Sequence, residues 1–170
     1  MTAFIALLRA VNVGGRKLAM ADLKAIADEL GFSNPSTFIA SGNLLFASDL
    51  SETRVARLLE ERLATHMSAD VPVFVRTASE MEQIARLNPF SGEPGSKVAA
   101  IFLESNPPAH VVEKTRGIAD ERLALGRREI YVLYPSGMGR SKMRFPAGVV
   151  GTARNMNTVA KLAELAKEVE

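Results

Sequence analysis

Cysteine and tryptophan are absent from this chain of 170 residues, and histidine occurs only twice. The lack of cysteine excludes a disulfide scaffold, cysteine-ligated zinc, an iron–sulfur cluster and a thiol nucleophile. His66 and His110 have no second ligand at metal-binding spacing, and neither stands in a recognisable nucleophile elbow. The sequence therefore predicts no metal site, no cofactor and no serine triad.

Long apolar runs are lacking as well. The segment Ala3 to Leu8 is too short for the apolar region of a signal peptide, and no stretch approaches the roughly 20 apolar residues of a membrane span. We therefore expect a cytoplasmic protein without a membrane partner. With 47% hydrophobic and 24% charged residues, the chain can bury a core as one domain or as two small halves.

Net charge is small but unevenly distributed. Lys and Arg number 21 and Asp and Glu 19, which gives a formal charge of +2 at pH 7. So weak a field predicts no general affinity for nucleic acid. Residues 1–21 and 130–163, however, contain basic side chains and no acidic one, so the ends of the chain are the places to look for an anion site.

The order of elements in the first half follows from apolar periodicity and turn residues. It predicts a strand at Phe4–Val11, a helix at Met20–Leu30, a hairpin of Thr37–Ala40 and Leu44–Ala47, a helix capped by Ser51, and a strand at Val71–Thr77. This is the split βαβ or ferredoxin-like plan. Ser79 and Glu82 then predict a capping box for a connecting helix.

The second half repeats this order after the turn-rich residues 88–96. It predicts a strand at Val98–Leu103, a helix from Pro107 to about Ala119, a hairpin of Arg122–Leu125 and Ile130–Tyr134, and a helix at about Asn155–Val169. The last strand is missing or reduced to something near Val149. We therefore expect an α+β protein of two ferredoxin-like halves with antiparallel sheets, residues 1–90 and 91–170, the second without a clear last strand.

Two basic, glycine-containing loops are the strongest candidates for a ligand site: residues 12–17 and residues 137–142. Gly139, Arg140, Ser141 and Lys142 place free backbone, a hydroxyl and two cations together, so the loop could turn N–H groups toward an anion. Downstream, Arg154 supplies a fork of donors, and Thr152 or Asn155 can cap the last helix. The competing interpretation is that these glycines only form turns and these asparagines only cap or hold loops.

Five blocks of residues, in order along the chain, resemble a bacterial family of domains of unknown function, number 1697. The blocks are residues 9–15, Met20 with Leu23, residues 41–43, residues 139–142, and residues 152–155 with Asn157 and Thr158. The resemblance extends from about residue 3 to 166 and implies paired ferredoxin-like units with no established activity. Met156 stands where the family often has tryptophan, and residues 143–151 are shorter than the helical insert common there.

The leading functional hypothesis is a site for a small anionic ligand, phosphorylated or nucleotide-like. The candidate residues come from both ends of the chain: Arg9, Asn12, Gly14, Gly15, Arg16, Asn43, Gly139, Arg140, Ser141, Lys142, Arg154, Asn155 and Asn157. One alternative is a non-enzymatic module that binds RNA or a protein, although Phe4, Phe38, Phe46 and Phe74 are predicted to be core residues rather than stacking platforms. Another is an enzyme in which Lys142 and Arg154 stabilise phosphoryl charge.

Overall fold

Two four-stranded antiparallel sheets organise the chain, which a computed structural model describes over residues 1–169. One unit comprises Met1–Glu82 with the C-terminal segment from Lys161, and the other comprises Gln83–Ala160. The α+β class and the two split βαβ halves are therefore confirmed. The boundary between residues 90 and 91 stays a prediction.

The first unit has its strands in the order β2-β3-β1-β4. Its elements are β1 (Thr2–Leu8), α1 (Met20–Glu29), β2 (Ser33–Thr37), β3 (Asn43–Ser48), α2 (Glu52–Met67), β4 (Val73–Thr77) and α3 (Ala78–Arg86), the last of which continues into the second unit. The Ser51 hydroxyl caps α2 by accepting from the N–H of Arg54 at 3.2 Å. Apolar side chains of α1, α2 and one sheet face form the core.

Two local predictions in this unit are wrong. The hairpin strand predicted at Thr37–Ala40 lies earlier, at Ser33–Thr37, because residues 38–42 form the turn and Ile39 takes a left-handed φ of 53°. The capping box also begins earlier. The Thr77 hydroxyl accepts from the N–H of Glu80 at 3.1 Å, and the Glu80 carboxylate accepts from the N–H of Thr77 at 3.0 Å.

The second unit repeats the strand order as β6-β7-β5-β8. Its elements are β5 (Val98–Leu103), α4 (Val111–Lys114), β6 (Arg122–Leu125), β7 (Glu129–Leu133), β8 (Gly151–Asn155) and α5 (Met156–Ala166), which continues into the first unit. β8 pairs with β5 antiparallel, from Ala99 opposite Asn155 to Leu103 opposite Gly151. The prediction of a missing last strand is therefore wrong.

The element that the second unit lacks is the helix between its third and fourth strands. Where the first unit has α2, the described residues 134–150 contain one short 3-10 turn, Met138–Arg140, and no α-helix. Pro135, Gly137, Pro146 and Gly148 explain this, because proline and glycine both disfavour helix interiors. Residues 134–150, hereafter the long connection, instead cover the core with Met143, Phe145 and Val149.

The helix predicted from Pro107 to about Ala119 is also wrong in extent, since α4 ends at Lys114. Gly117 has a φ of +74°, and Arg116 forms an isolated antiparallel bridge with Arg144 of the long connection. Two hydrogen bonds make this bridge, from the N–H of Arg116 to the carbonyl of Arg144 at 2.9 Å and from the N–H of Arg144 to the carbonyl of Arg116 at 2.8 Å. Residues 115–121, hereafter the short connection, are thus tied to the long one.

Candidate functional site

A pocket of about 460 Å³ lies between the short and long connections of the second unit. Its volume falls within the range of roughly 300–1,000 Å³ that is typical of small-molecule sites. It is lined by Gly117, Ala119, Asp120 and Glu121 of the short connection, and by Tyr134, Ser136, Gly137, Arg140, Ser141 and Lys142 of the long one. We call this the loop pocket. It includes three of the predicted site residues, Arg140, Ser141 and Lys142.

Two carboxylates hold the walls of the loop pocket together. The Ser136 hydroxyl donates to Asp120 Oδ2 at 2.5 Å, and the Ser141 hydroxyl donates to Glu121 Oε2 at 2.8 Å. Glu121 Oε1 also accepts from the N–H groups of Ala119 and Asp120, both at 3.2 Å. The Ser141 hydrogen bond lowers the pKa of Glu121 below its ordinary value. Glu121 is therefore a carboxylate at neutral pH, and its hydrogen bonds cross from one connection to the other.

Arg140 and Lys142, both exposed, differ from these acids because their side chains are unpaired. Within residues 1–169, neither side chain forms an ion pair or a hydrogen bond. The two acids of the pocket are already hydrogen-bonded to serine hydroxyls and backbone N–H groups. Two cations thus remain available at the pocket surface, although the two positive and two negative lining residues balance in formal charge.

Tyr134 forms the deep wall of the loop pocket. Its ring packs in the core of the second unit, with 6% of the residue exposed. Burial, and secondly the charge of Glu121, raise the pKa of the Tyr134 hydroxyl. At neutral pH the phenol therefore stays uncharged and can both donate and accept a hydrogen bond.

Three backbone N–H groups of the basic loop form hydrogen bonds within the loop. The N–H groups of Gly137, Arg140 and Ser141 donate to the carbonyls of Tyr134, Gly137 and Met138 at 2.9, 3.3 and 3.2 Å. These three groups close turns, so they are not turned toward an anion. Gly139, a predicted site residue, lies in the 3-10 turn Met138–Arg140 and does not line the loop pocket. That other N–H groups of the loop meet an anion stays a prediction.

The remaining candidates of the second unit lie outside the loop pocket. Arg154 sits in β8 with 6% of the residue exposed, and its Nη1 donates to Thr152 Oγ1 at 2.8 Å and to the Ala153 carbonyl at 2.9 Å. Burial lowers the pKa of Arg154 to about 10. Asn155 caps α5 as predicted, accepting from the N–H of Thr158 at 2.9 Å. Asn157 is exposed in the first turn of α5.

The other six candidates belong to the first unit, where the asparagines serve the fold. Asn12 has a φ of 58°, and its amide donates to the carbonyls of Leu18 and Ala40 at 3.0 and 2.6 Å and accepts from the N–H of Leu18 at 2.9 Å. Asn43 is fully buried and donates to the Phe38 carbonyl at 2.8 Å. Both amides join segments of the first unit to each other; that they orient a ligand stays a prediction.

Gly14 and Gly15 form a tight turn with φ values of +57° and +83°. An isolated bridge between Val13 and Arg16 flanks this turn, as in a two-residue hairpin connection that needs positive φ at both central positions. Arg16 Nη2 donates to the Asp70 carbonyl at 2.5 Å, and Arg9 is exposed. That these residues share a site with Arg140 and Lys142 stays a prediction.

Two classes of feature are not found in the part of the chain that the structure describes. No group of three acidic or histidine side chains within residues 1–169 could hold a metal ion. No helix in the same residues is both long enough and apolar enough to cross a membrane. Of the four phenylalanines predicted to be core residues, Phe4, Phe46 and Phe74 are buried, with 6% or less of each residue exposed. Phe38 is only half-buried, because it lies in the turn that follows β2.

Comparison with known proteins places the chain in a family. The family described as protein of unknown function (DUF1697) matches residues 1–131. The chain belongs to the DUF1697 family. The match ends inside β7, so the predicted blocks at residues 139–142 and 152–158 lie beyond it. The long connection, which stands where the first unit has the helix α2, begins shortly after that point.

A solved structure supports the fold of this DUF1697 protein over nearly its whole length. The structure, described as the conserved bacterial protein SP0830 from Streptococcus pneumoniae, has a TM-score of 0.80 and 24% identity. The similarity covers 97% of this chain and 98% of that one. No curated protein matches the chain. These likenesses establish the family and the fold, and they name no ligand.

Sequence reasoning missed the lining residues outside the basic loop: Asp120, Glu121, Tyr134 and Ser136. No motif marks them in this DUF1697 chain, since two belong to a segment predicted as the end of a helix and its exit. The one available signal was the pair of glycines at 117 and 137, both of which have positive φ in the structure. Each stands where a connection turns into the pocket.

Proposed function

We propose that the second unit binds a small phosphorylated ligand in the loop pocket. The observation that carries the proposal is the pairing state of the four charged lining residues. Asp120 and Glu121 are engaged with serine hydroxyls, whereas Arg140 and Lys142 make no ion pair or hydrogen bond within residues 1–169. A guanidinium and an ammonium at one pocket suit a phosphate, the first as a bidentate donor and the second as a point charge.

The carboxylates narrow the class of ligand. An isolated anion would meet Asp120 and Glu121 as well as the two cations, and like charges at short range disfavour binding. A ligand that carries hydroxyl or amino donors beside its phosphate can direct these donors to the carboxylate oxygens. A sugar phosphate or a nucleoside monophosphate has this combination and fits a pocket of about 460 Å³. Tyr134 then offers an apolar wall for a sugar or base ring.

The test is calorimetric titration of the whole protein with ribose 5-phosphate, AMP and unphosphorylated ribose. We expect saturable binding of the phosphorylated probes and none of ribose. Arg140→Ala should weaken binding by about tenfold, since a hydrogen bond to a charged group contributes about 1.5–3 kcal/mol.

Arg127→Ala is the matched control. Arg127 is also an exposed arginine of the second unit, but it lies in the turn between β6 and β7 and does not line the pocket. Its removal should leave binding unchanged. Equal losses in the two variants, or no binding of any phosphorylated probe, would contradict the proposal.

A further inference from the structure

A second concave site lies beside the bridge that joins the two connections. It has a volume of about 630 Å³ and is lined by Glu113, Lys114 and Arg116 on one side and by residues 144–147 on the other. We call it the arginine pocket. With Arg144 it has three cations and one acid, so its charge is positive where that of the loop pocket is balanced. None of its lining residues was among the candidates predicted from the sequence.

The backbone holds two arginines side by side. Arg116 and Arg144 form a reciprocal pair of backbone hydrogen bonds at 2.9 and 2.8 Å. In such an antiparallel pair the two Cα atoms are about 5.5 Å apart and the two side chains leave the same face. Like charges in directly opposite positions destabilise a pair of strands. The fold therefore carries a local electrostatic cost at this point.

No acidic side chain of the described residues, Glu113 of the same pocket included, forms an ion pair with these cations. Within residues 1–169, Lys114, Arg116 and Arg144 form neither an ion pair nor a side-chain hydrogen bond. The half-buried Arg62, by comparison, is paired with Glu29 at 2.9 Å. The bridge itself uses backbone atoms alone, so it does not require arginine at either position. The guanidinium groups of Arg116 and Arg144 therefore remain available to contact a ligand.

The position of the pair is fixed before any ligand arrives. Phe145, next to Arg144, packs against the core of the second unit. Next to Arg116, Gly117 lies so close to the long connection that a Cβ there would be 2.3 Å from the Lys142 carbonyl oxygen. The backbone positions from which the two guanidinium groups extend are therefore fixed, which lowers the cost of ordering this part of the site on binding.

We propose that the arginine pocket is a binding site for a phosphoryl group. Two neighbouring guanidinium forks can each donate two parallel hydrogen bonds to phosphate oxygens, and Lys114 adds a third charge. Phe145 and Pro146 form an apolar wall beside the cations, which would accommodate the organic part of a phosphate ester. This site is separate from the loop pocket and does not depend on the function proposed there.

The experiment measures the melting temperature of the whole protein in inorganic phosphate, in phenyl phosphate and in potassium chloride at matched ionic strength. The chloride arm is essential, because screening alone would relieve the repulsion between Arg116 and Arg144. We expect phosphate or its ester to raise the melting temperature more than chloride does, since a ligand that binds only the native state stabilises it. The probe that raises the melting temperature more shows whether the pocket prefers free phosphate or a phosphate ester.

Variants assign the effect to the pocket. Arg144→Gln should weaken phosphoryl binding by about tenfold without loss of the fold, because the exposed Arg144 side chain forms no ion pair or hydrogen bond with residues 1–169. Its melting temperature in chloride should equal or exceed that of the wild type. Arg127→Gln should behave as the wild type in every arm.

Three results would overturn the inference. They are equal effects of both phosphoryl probes and chloride on the wild type, full retention of the phosphoryl effect in Arg144→Gln, and loss of that effect in Arg140→Ala. The last result would assign the phosphoryl group to the loop pocket instead. The loop-pocket proposal, by contrast, fails when ribose 5-phosphate and AMP do not bind, or when Arg140→Ala and Arg127→Ala weaken their binding equally, so the two proposals fail separately.

Discussion

Replacing Gly117 by alanine tests whether the two connections must approach each other as closely as the structure shows. Gly117 has a φ of +74°, and a Cβ there would lie 2.3 Å from the Lys142 carbonyl oxygen and 3.0 Å from the carbonyl carbon. A non-glycine residue in the left-handed region costs about 1–2 kcal/mol. Forcing extra volume into a packed contact costs about 1–3 kcal/mol. Together we expect Gly117→Ala to lower the free energy of unfolding by about 2–5 kcal/mol.

Two glycines of the long connection separate the two contributions. Gly148 has a φ of +91° but no atom within 4 Å of an added Cβ, so Gly148→Ala should show the backbone cost alone, about 1–2 kcal/mol. Gly139 has neither a positive φ nor a close neighbour. Gly139→Ala should therefore change stability by less than about 0.5 kcal/mol.

The assay is denaturant unfolding followed by circular dichroism, with hydrogen exchange of the Arg116 and Arg144 amides as a local readout. Both amides donate across the bridge, so Gly117→Ala should lower their protection more than Gly148→Ala does. A loss in Gly117→Ala no larger than in Gly148→Ala, with the two amides still protected, would refute the close approach and the bridge that depends on it.

Three further perturbations follow from single side chains. Ile39 is a half-exposed, β-branched residue with a φ of 53°. Ile39→Asn should raise the free energy of unfolding by about 0.5–1 kcal/mol, because asparagine tolerates the left-handed region. A lower free energy of unfolding in denaturant melts would contradict this. The pKa of Glu121 in the folded protein lies below its ordinary value, so its contribution to stability is present above the unfolded pKa and is lost as pH falls through the folded pKa. Ser141→Ala should raise the folded pKa in a carbon-detected NMR titration and shift acid unfolding to higher pH. An unchanged pKa would show that the Ser141 hydrogen bond does not lower it. Burial, and secondly the charge of Glu129, raise the pKa of Tyr131 to about 12, and the pKa of Tyr134 is also raised. Because the chain has 2 Tyr and no Trp, an ultraviolet titration should show little tyrosinate at pH about 10, and stability should fall only above that pH. Titration of both hydroxyls near pH about 10 would instead show them to be solvated.

Features set by neighbouring residues were predictable from the sequence. Ser51 and Asn155 were expected to cap helices, and both side chains accept a hydrogen bond from the N–H three residues later. The helix predicted to end at Leu30 is followed by Gly31, which has a φ of +80°, a left-handed conformation that glycine adopts readily at a helix C-terminus. Each of these depends on short-range hydrogen bonds or on the conformational freedom of one residue.

Features set by pairing across the chain were not predictable in the same way. β8 reads Gly-Thr-Ala-Arg-Asn; its two buried residues are a threonine and an arginine, and it has no large apolar side chain. It is a strand because β5 offers its free edge, and no pattern within those five residues indicates that. The carboxylates of the loop pocket were missed for a similar reason. Glu121 reaches Ser141 only because the bridge at Arg116 brings the two connections together.

The central claim is that the long connection, which takes the place of a helix, builds a ligand site with Arg140 and Lys142. Mapping amide chemical-shift changes on titration with ribose 5-phosphate tests it most directly. We expect saturable changes concentrated in residues 117–121 and 134–142, and their loss in Arg140→Ala. Changes confined to residues 9–17 of the first unit, or no saturable change in either connection, would contradict it.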